Sequence, residues 1–444
     1  MGIEICGIGG YTEVGRNCTA IKVDDEVIIC DMGIYLESYI RFTEDEDIIN
    51  LNPDELISVG AIPDVTKIDK WKNKVKAIVP SHAHLDHIGG LAFLAGRFNA
   101  PIIGTPFTIS VFNAILRDEK IKPKNKVVTL NAGSKYKISE NITIEFINMT
   151  HSTPQTVTIA IHTKYGIIIY ANDFKFDNQP VLGKKPDYDR LRELGKQGVF
   201  ALICESTYAR DAIKMPSESV AKEMLRDVLL GTDTRKKAVI VTTFSSHIAR
   251  LKSIIEFGKK MNRKIVFLGR SLAKYALAAE DIGLVNFSKQ VEIVKYSSKI
   301  KRKLKKIMAD GKHKYLLVVT GHQGEPKATL SKMINEKMDF KLSAEDLVIF
   351  SCKTIPTPIN IENREHLERT LKDMNVRIFK DIHVSGHAGR EDLRDMINMI
   401  KPKHLIPSHG FSEMREALQG LALEMGYDKK RIYLIEDGKT IILE

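Results

Sequence analysis

The chain has 444 residues, 43% of them hydrophobic, with 67 Lys and Arg against 56 Asp and Glu, a formal charge of +11. The apolar share suits packed cores, the length suggests two or three domains, and the basic surplus favours a polyanionic partner, nucleic acid or anionic membrane, over a merely Lys-rich solvated surface. No run approaches the roughly 18–20 apolar residues of a membrane helix; no signal peptide is expected at MGIEICGIGG, and five scattered cysteines without CxxC spacing point to a cytoplasmic chain with buried thiols.

The first thirty residues fall into short β-like runs, IEICGIGG, CTAIKV and EVIICDMG. Their glycines are not a dinucleotide fingerprint, because Thr12 stands where the third glycine of GxGxxG belongs. Residues 35–70 are acidic and irregular and read as a long surface loop. VKAIVPS (75–81) reads as a buried strand, and a helical pattern, HIGGLAFLAGRF, follows the histidine cluster. Further strands are predicted at VVTL, ITIEFINMT, VTIAIHT, GIIIYANDF and VFALICES. After about residue 207, helical segments alternate with apolar strands (SVAKEMLRDVLL, AVIVTTF, IARLKSIIEF, KIVFLG, YLLVVTG, LVIFS), the texture of a parallel sheet with crossover helices. From about 373, strand-plus-histidine texture returns in VRIFKDIHVSGHAG, HLIPSHG and YLIEDGKTIILE. The expected architecture is α/β: a sandwich domain built from 1–207 and 373–444, with an α/β domain, 208–372, inserted. The basic run KIKRKLKKI (299–307) reads as a solvated helix face able to add nonspecific affinity for a polyanion.

Chemistry concentrates in SHAHLDHIGG (81–90). His82, His84, Asp86 and His87 directly follow a strand, where a loop can turn all four to one cavity. Glycines 89 and 90 allow backbone to approach from behind. Neutral imidazole and carboxylate suit zinc, and catalytic zinc keeps a position open, so four ligands packed this tightly suggest two ions. Each ion then needs further ligands, and strand ends offer His151 in MTHSTP, Asp173 in YANDFKFD and His409 in IPSHG. Asp173, with two oxygens and a charge, is the candidate bridge. The ligand types also admit manganese.

SHAHLDHIGG resembles the signature of the metallo-β-lactamase fold, an αββα sandwich. His151, Asp173 and His409 stand in the order of that family's later ligands, and Asp31 in CDMG matches its early aspartate. The inserted unit resembles a β-CASP domain, found in nucleic-acid-processing members, with Glu205 in CESTYA and His387 in HVSGHAG at its motif acid and histidine. GGYTEVGRN, AIPD, TTFSSHIAR, GRSL, TGHQGEP and HVSGHAG are similar to the ribonuclease J family, and the chain length to its archaeal group; His322 departs from the commoner TG(S)QGEP.

The resemblance implies two zinc ions: His82, His84 and His151 at one; Asp86, His87 and His409 at the other; Asp173 between them. It implies 5′→3′ hydrolysis of single-stranded RNA bearing a 5′-monophosphate, releasing 5′-mononucleotides. His387 would act as the acid, with Glu205 holding its imidazolium and Asp86 counted also among the catalytic residues. Ser245, Ser246 and His247 at a helix start, Arg270, and His383 and Ser385 beside His387 are expected phosphate contacts, although the serines also suit helix caps. A homodimer and no membrane association are expected. An RNA-processing endonuclease and a small-molecule metallohydrolase are the alternatives.

Overall fold

The computed structural model describes residues 2–45, 52–335 and 337–444. Isoleucine- and valine-rich runs become β1 (Ile3–Gly9), β2 (Cys18–Val23), β3 (Glu26–Cys30) and β4 (Val75–Val79). Three-residue strands follow: β5 (Ile102–Gly104), β6 (Val127–Thr129) and β7 (Lys135–Lys137). Next come β8 (Thr143–Asn148), β9 (Val157–Thr163), β10 (Gly166–Ala171) and β11 (Val199–Glu205). The middle of the chain supplies β12 (Val239–Thr242), β13 (Lys264–Leu268), β14 (Glu292–Val294), β15 (Tyr315–Val319), β16 (Leu347–Phe350) and β17 (Arg377–Phe379). β18 (His404–Ser408) and β19 (Lys439–Leu443) complete the order.

The chain divides into two compact units. The first comprises Met1–Asn178, Gly183–Met215 and Gly386–Glu444. It holds two mixed sheets, ordered β19-β1-β2-β3-β4-β5-β6 and β18-β11-β10-β9-β8-β7. β1 pairs antiparallel with β19, Ile3 opposite Leu443, so both chain ends close one sheet. The facing sides share a core: Ile5, Ile21 and Val79 from one sheet meet Phe146, Ile161, Ile168 and Ile203 from the other. Helices Tyr188–Gln197, Arg390–Ile400 and Ser412–Glu424 cover the outside of the second sheet through Leu191, Leu393, Ile397 and Leu418. A 3₁₀ segment, Val65–Lys74, lies against β1 and β3. Burial on both faces explains why strands such as GIIIYA read as continuous apolar runs rather than alternating ones. This is the expected αββα sandwich.

The second unit comprises Gln179–Leu182 and Pro216–Ser385. Its sheet, β14-β13-β15-β12-β16-β17, is parallel throughout, as the helix–strand alternation implies. β17 pairs with β16, so this sheet runs past residue 372. A three-residue strand carries no local mark of which sheet it joins.

The stretch 35–70 is not the expected surface loop. Where described, it forms helices Leu36–Asp45 and Pro53–Ser58 and the start of the 3₁₀ segment, and it buries Leu56, Ile62, Val65 and Ile68. Asn52 and Asp64 cap the two later helices by accepting from the backbone N–H groups of Asp54 and Thr66. Residues 46–51 lie outside the described residues. All five cysteines are free and buried, as expected.

Candidate metal centre

Seven of the sequence-selected side chains converge in the first unit, each carried just beyond the end of a strand. His82, His84, Asp86 and His87 follow β4; His151 follows β8; Asp173 follows β10; His409 follows β18. The 82–87 stretch is not wholly a loop. Leu85–Ile88 makes one helical turn with His84 at its N-cap, which sets Asp86 and His87 side by side. The chain around the centre is tightly constrained. Asp31, Asp173 and His409 are non-glycine residues in the left-handed region, at φ 60°, 45° and 48°. Strain of that kind persists only where surrounding structure over-determines it. Gly33 has no alternative, because a Cβ there would run into the Asp86 carbonyl. Gly89 and Gly90 are likewise pressed against the backbone of Leu85 and Gly33, as their place behind the cluster suggests.

Two groups of potential ligand atoms form. One joins His82, His84, His151 and Asp173, the other Asp86, His87, Asp173 and His409; within each, all atoms lie within 4.8 Å of one another. Asp173 is common to both. Its Oδ2 lies 3.4 Å from His82 Nε2 and 3.3 Å from the Nε2 atoms of His87 and His151, and its Oδ1 lies 3.3 Å from His409 Nε2.

The hydrogen-bond network fixes which ring nitrogens carry protons. His151 Nδ1 donates to the Gly386 carbonyl at 2.7 Å. His87 Nδ1 donates to Asp31 Oδ2 at 2.8 Å, and His409 Nδ1 to Asn17 Oδ1 at 2.9 Å. Ser81 Oγ donates to Asp31 at 2.9 Å, so it accepts from His82 Nδ1 at 3.0 Å. His82 and His151 therefore both turn a bare Nε2 inward, at 3.1 and 3.0 Å from His84 Nδ1. Three ring nitrogens gathered this closely suit a cation held among them. Asp173 Oδ1 is buried and accepts no hydrogen bond.

Electrostatics agree. Burial holds His84 and His151 well below the usual histidine range and lowers His82 and His409, so all four favour the neutral ligand form. Burial opposes charge on His87 too, but Asp173, Asp86 and Asp31 outweigh it and raise its pKa well above normal. Burial would raise Asp173; His409, His87 and His387 instead hold it well below the usual carboxylate range. Buried carboxylate charge facing the neutral imidazoles of His82, His84, His151 and His409, with His87 drawn towards positive charge, fits divalent cations.

Beside the cluster, His387 Nδ1 donates to Glu205 Oε2 at 2.7 Å and lies 4.0 Å from Asp173 Oδ2. Glu205 Oε1 accepts from the Phe174 N–H at 2.8 Å and the Ala388 N–H at 3.3 Å, so one carboxylate anchors both the Asp173 loop and the His387 loop. Burial works against the imidazolium, but Glu205 and then Asp173 prevail and raise His387 to about 10.

The expected phosphate contacts lie in the second unit. Ser245 Oγ is 2.9 Å from Ser271 Oγ, and Arg270 is exposed at the start of helix Arg270–Asp281. His247 is buried with Nε2 3.3 Å from Glu218 Oε2, so its ring turns inward rather than outward. Helix Ile248–Lys260 has His247 at its N-cap without a side-chain capping bond, so Ser246 does not take the cap position. His383 is half-buried with its ring 6.0 Å from Phe244, and Ser385 is half-buried at the unit's last residue.

Sequence reading assigned no role to Asn17, Ser81, Tyr170 or Asn172. Asn17 also donates from Nδ2 to the Asp86 carbonyl at 3.1 Å, and Tyr170 donates to Asp31 at 2.9 Å. Asn17 stands inside GGYTEVGRN, a stretch the resemblance already marked. Asp31 accepts from four donors, Ser81 N, Ser81 Oγ, His87 Nδ1 and Tyr170 Oη. Asp31→Asn should therefore weaken metal binding about 10–100-fold, the usual effect of losing an outer partner of a ligand. Competition with a chelator measures this, and an unchanged affinity would count against Asp31 as the orienting group.

Family models match the chain over residues 60–184 (Beta-lactamase superfamily domain), 236–371 (Ribonuclease J, beta-CASP domain) and 373–434 (Zn-dependent metallo-hydrolase RNA specificity domain). The sandwich, its histidine–aspartate cluster and the inserted parallel-sheet unit define a metallo-β-lactamase-fold hydrolase of the β-CASP type. The chain is 48% identical to ribonuclease J of Methanocaldococcus jannaschii, covering 100% of this chain and 99% of that one, and 42% identical to ribonuclease J of Pyrococcus abyssi, covering 99% and 97%. It belongs to the ribonuclease J family. Ribonuclease J 1 of Streptococcus pyogenes is 32% identical, with 99% of this chain matching 74% of that protein. A crystal structure of a protein of unknown function from Enterococcus faecalis V583 matches over 100% of both chains with a TM-score of 0.65 at 17% identity, a likeness of fold.

Proposed function

We propose that this protein is a two-metal 5′→3′ exoribonuclease that releases 5′-mononucleotides from single-stranded RNA carrying a 5′-monophosphate. The observation that carries the reading is Asp173, within reach of both ligand groups and 4.0 Å from a His387 paired with Glu205. His82, His84 and His151 would hold one ion; Asp86, His87 and His409 the other; Asp173 would serve both. Zinc suits these donors, and manganese is the alternative. Bound ions of this kind supply Lewis acidity, making water nucleophilic near neutral pH and offsetting charge on phosphoryl oxygens.

The chain's own groups do the rest. His387, held protonated by Glu205, gives its proton to the departing 3′ oxygen, because an alkoxide is a poor leaving group. Glu205 aims the ring by accepting a hydrogen bond from Nδ1–H, which leaves Nε2–H for the substrate. Ser245, Ser246, His247, Arg270, His383 and Ser385 are proposed to contact RNA phosphates; for His247 this requires its ring to leave Glu218. The family likeness also supports a homodimer, which light scattering would show as twice the chain mass. No helix among the described residues is long and apolar enough to cross a membrane.

The test is product analysis on end-labelled RNA with a 5′-hydroxyl, 5′-monophosphate or 5′-triphosphate, repeated with His84→Ala. Mononucleotides are expected from the monophosphorylated strand, with the triphosphate resisting and the variant inactive. Internal fragments formed without regard to the 5′ group would replace this reading with an endonuclease.

A further inference from the structure

The basic run 295–306, KYSSKIKRKLKK, contains no acid. It forms most of helix Ser297–Asp310, which buries Ile300, Leu304 and Ile307 and leaves Lys299, Lys301, Arg302, Lys305 and Lys306 exposed. Lys299, Arg302 and Lys306 follow one another at spacings of three and four residues, so they line a single face. Several exposed cations on other helices meet an acid one turn away, as in Arg226–Glu223, Lys260–Glu256 and Arg192–Asp189. Here Lys301 reaches Asp339 at 3.8 Å and Lys303 pairs with Glu292, but among the described residues no acid pairs with Lys299, Arg302, Lys305 or Lys306. Like charges at i,i+3 and i,i+4 destabilise a helix, and Lys299 sits in a first turn that lacks any acid to suit the dipole.

Two further features share this side of the helix. Lys303 and Lys306 border a groove of about 590 Å³, lined also by Lys264, Lys289 and Tyr315. The groove's acids are engaged: Glu292 with Lys303, and Asp310 with the Tyr315 hydroxyl at 2.8 Å. At the helix start, Tyr296 is 51% exposed, the only aromatic among the exposed large hydrophobic residues described. Lys295 Nζ and Lys299 Nζ lie 5.6 and 5.9 Å from its ring centre. An exposed ring flanked by cations, beside a cationic groove, is the pairing that holds single-stranded polynucleotide: bases stack while lysines follow the backbone. A membrane surface is a poorer match, because the helix turns Ile300, Leu304 and Ile307 into the core, with Met308 half-buried against it.

We infer that the Lys299–Arg302–Lys306 face of helix Ser297–Asp310, with Tyr296 and the adjoining groove, is a binding surface for single-stranded RNA outside the catalytic centre. The inference rests on RNA being the substrate. The test measures binding of a phosphorothioate single strand of about 20 nucleotides, which keeps its charge and resists hydrolysis. The protein is compared with a variant carrying Lys299→Gln, Arg302→Gln and Lys306→Gln, across a range of salt concentrations. Each lost phosphate contact removes about 0.7 from the slope of log affinity against log salt. The triple variant should therefore lose about 2 from that slope and about 10²-fold in affinity near 0.1 M salt. Tyr296→Ala should weaken binding about fivefold or more with the slope unchanged. If the triple variant fails to fold by circular dichroism, the single substitutions should each remove about 0.7. Coincident slopes and affinities overturn the inference. So does a variant that keeps RNA binding but loses binding to phosphatidylglycerol vesicles. A parent protein that neither binds nor cleaves RNA refutes the proposed function itself; one that cleaves RNA with coincident slopes refutes only this surface.

Discussion

Asp173→Asn should strip the centre of its metal and reduce RNA hydrolysis by well over about 10²-fold, beyond the about 10–100-fold typical of outer partners such as Asp31. The side chain is nearly isosteric, so the effect isolates charge and donor type. Among the described residues, Asp173 is the one group whose two oxygens reach members of both ligand sets, at 3.3–3.4 Å from His82, His87, His151 and His409. An amide offers one weaker donor atom and no charge to offset two dications. Its NH₂ group would also face bare imidazole nitrogens and compete for them. Elemental analysis should find two zinc ions per chain in the parent and fewer than one in the variant. A variant that keeps both ions and activity within tenfold would remove Asp173 from its shared position.

Glu205→Gln and His387→Ala should each lower kcat on RNA about 10²–10⁴-fold, the usual contribution of a general acid, while leaving metal content intact. Glutamine keeps an oxygen for the Phe174 N–H, so the Asp173 loop stays in place. What it loses is the charge holding His387 protonated. Burial works against that proton, and Glu205 is the foremost influence opposing burial. The alkaline limb of the pH–rate profile should therefore move to lower pH in Glu205→Gln. A phosphodiester with an acidic phenol leaving group needs no proton, so His387→Ala should cleave it almost normally. Equal losses on both substrates would make the pair structural rather than catalytic. A thermodynamic counterpart follows. His387 rises from the ordinary value of about 6.5 to about 10 in the fold. A raised pKa stabilises fully below the unfolded value and loses that contribution as pH climbs through the folded one. The Tm gap between the metal-free parent and metal-free Glu205→Gln should thus be widest below pH about 6.5 and narrow towards about 10.

Much of this site was legible before any fold was known. Three histidines and an aspartate within six residues after VKAIVPS announce metal chemistry by density alone. His151, Asp173 and His409 were selectable because each ends an apolar run. Glu205 and His387 were not legible that way; they came from a family motif, since a lone acid and a lone histidine carry no local sign of pairing. Asn17 left no trace of its role, because its amide acts on His87, His409 and Asp86, 69 to 392 positions away. The stretch 35–70 misled for a different reason: its acidic surface residues hide the spaced apolar positions that bury it.

The sequence by itself determined the donor chemistry, the two packed sheets and the parallel α/β insert, because these follow from residue type and hydrophobic period, which are local properties. The tertiary structure alone decided that Asp31 and Asn17 set the ring tautomers, that His247 turns to Glu218, and that β17 joins the second unit's sheet. Hydrogen-bond direction and the meeting of distant strand ends depend on how the whole chain closes on its core, and no short window of sequence contains that information.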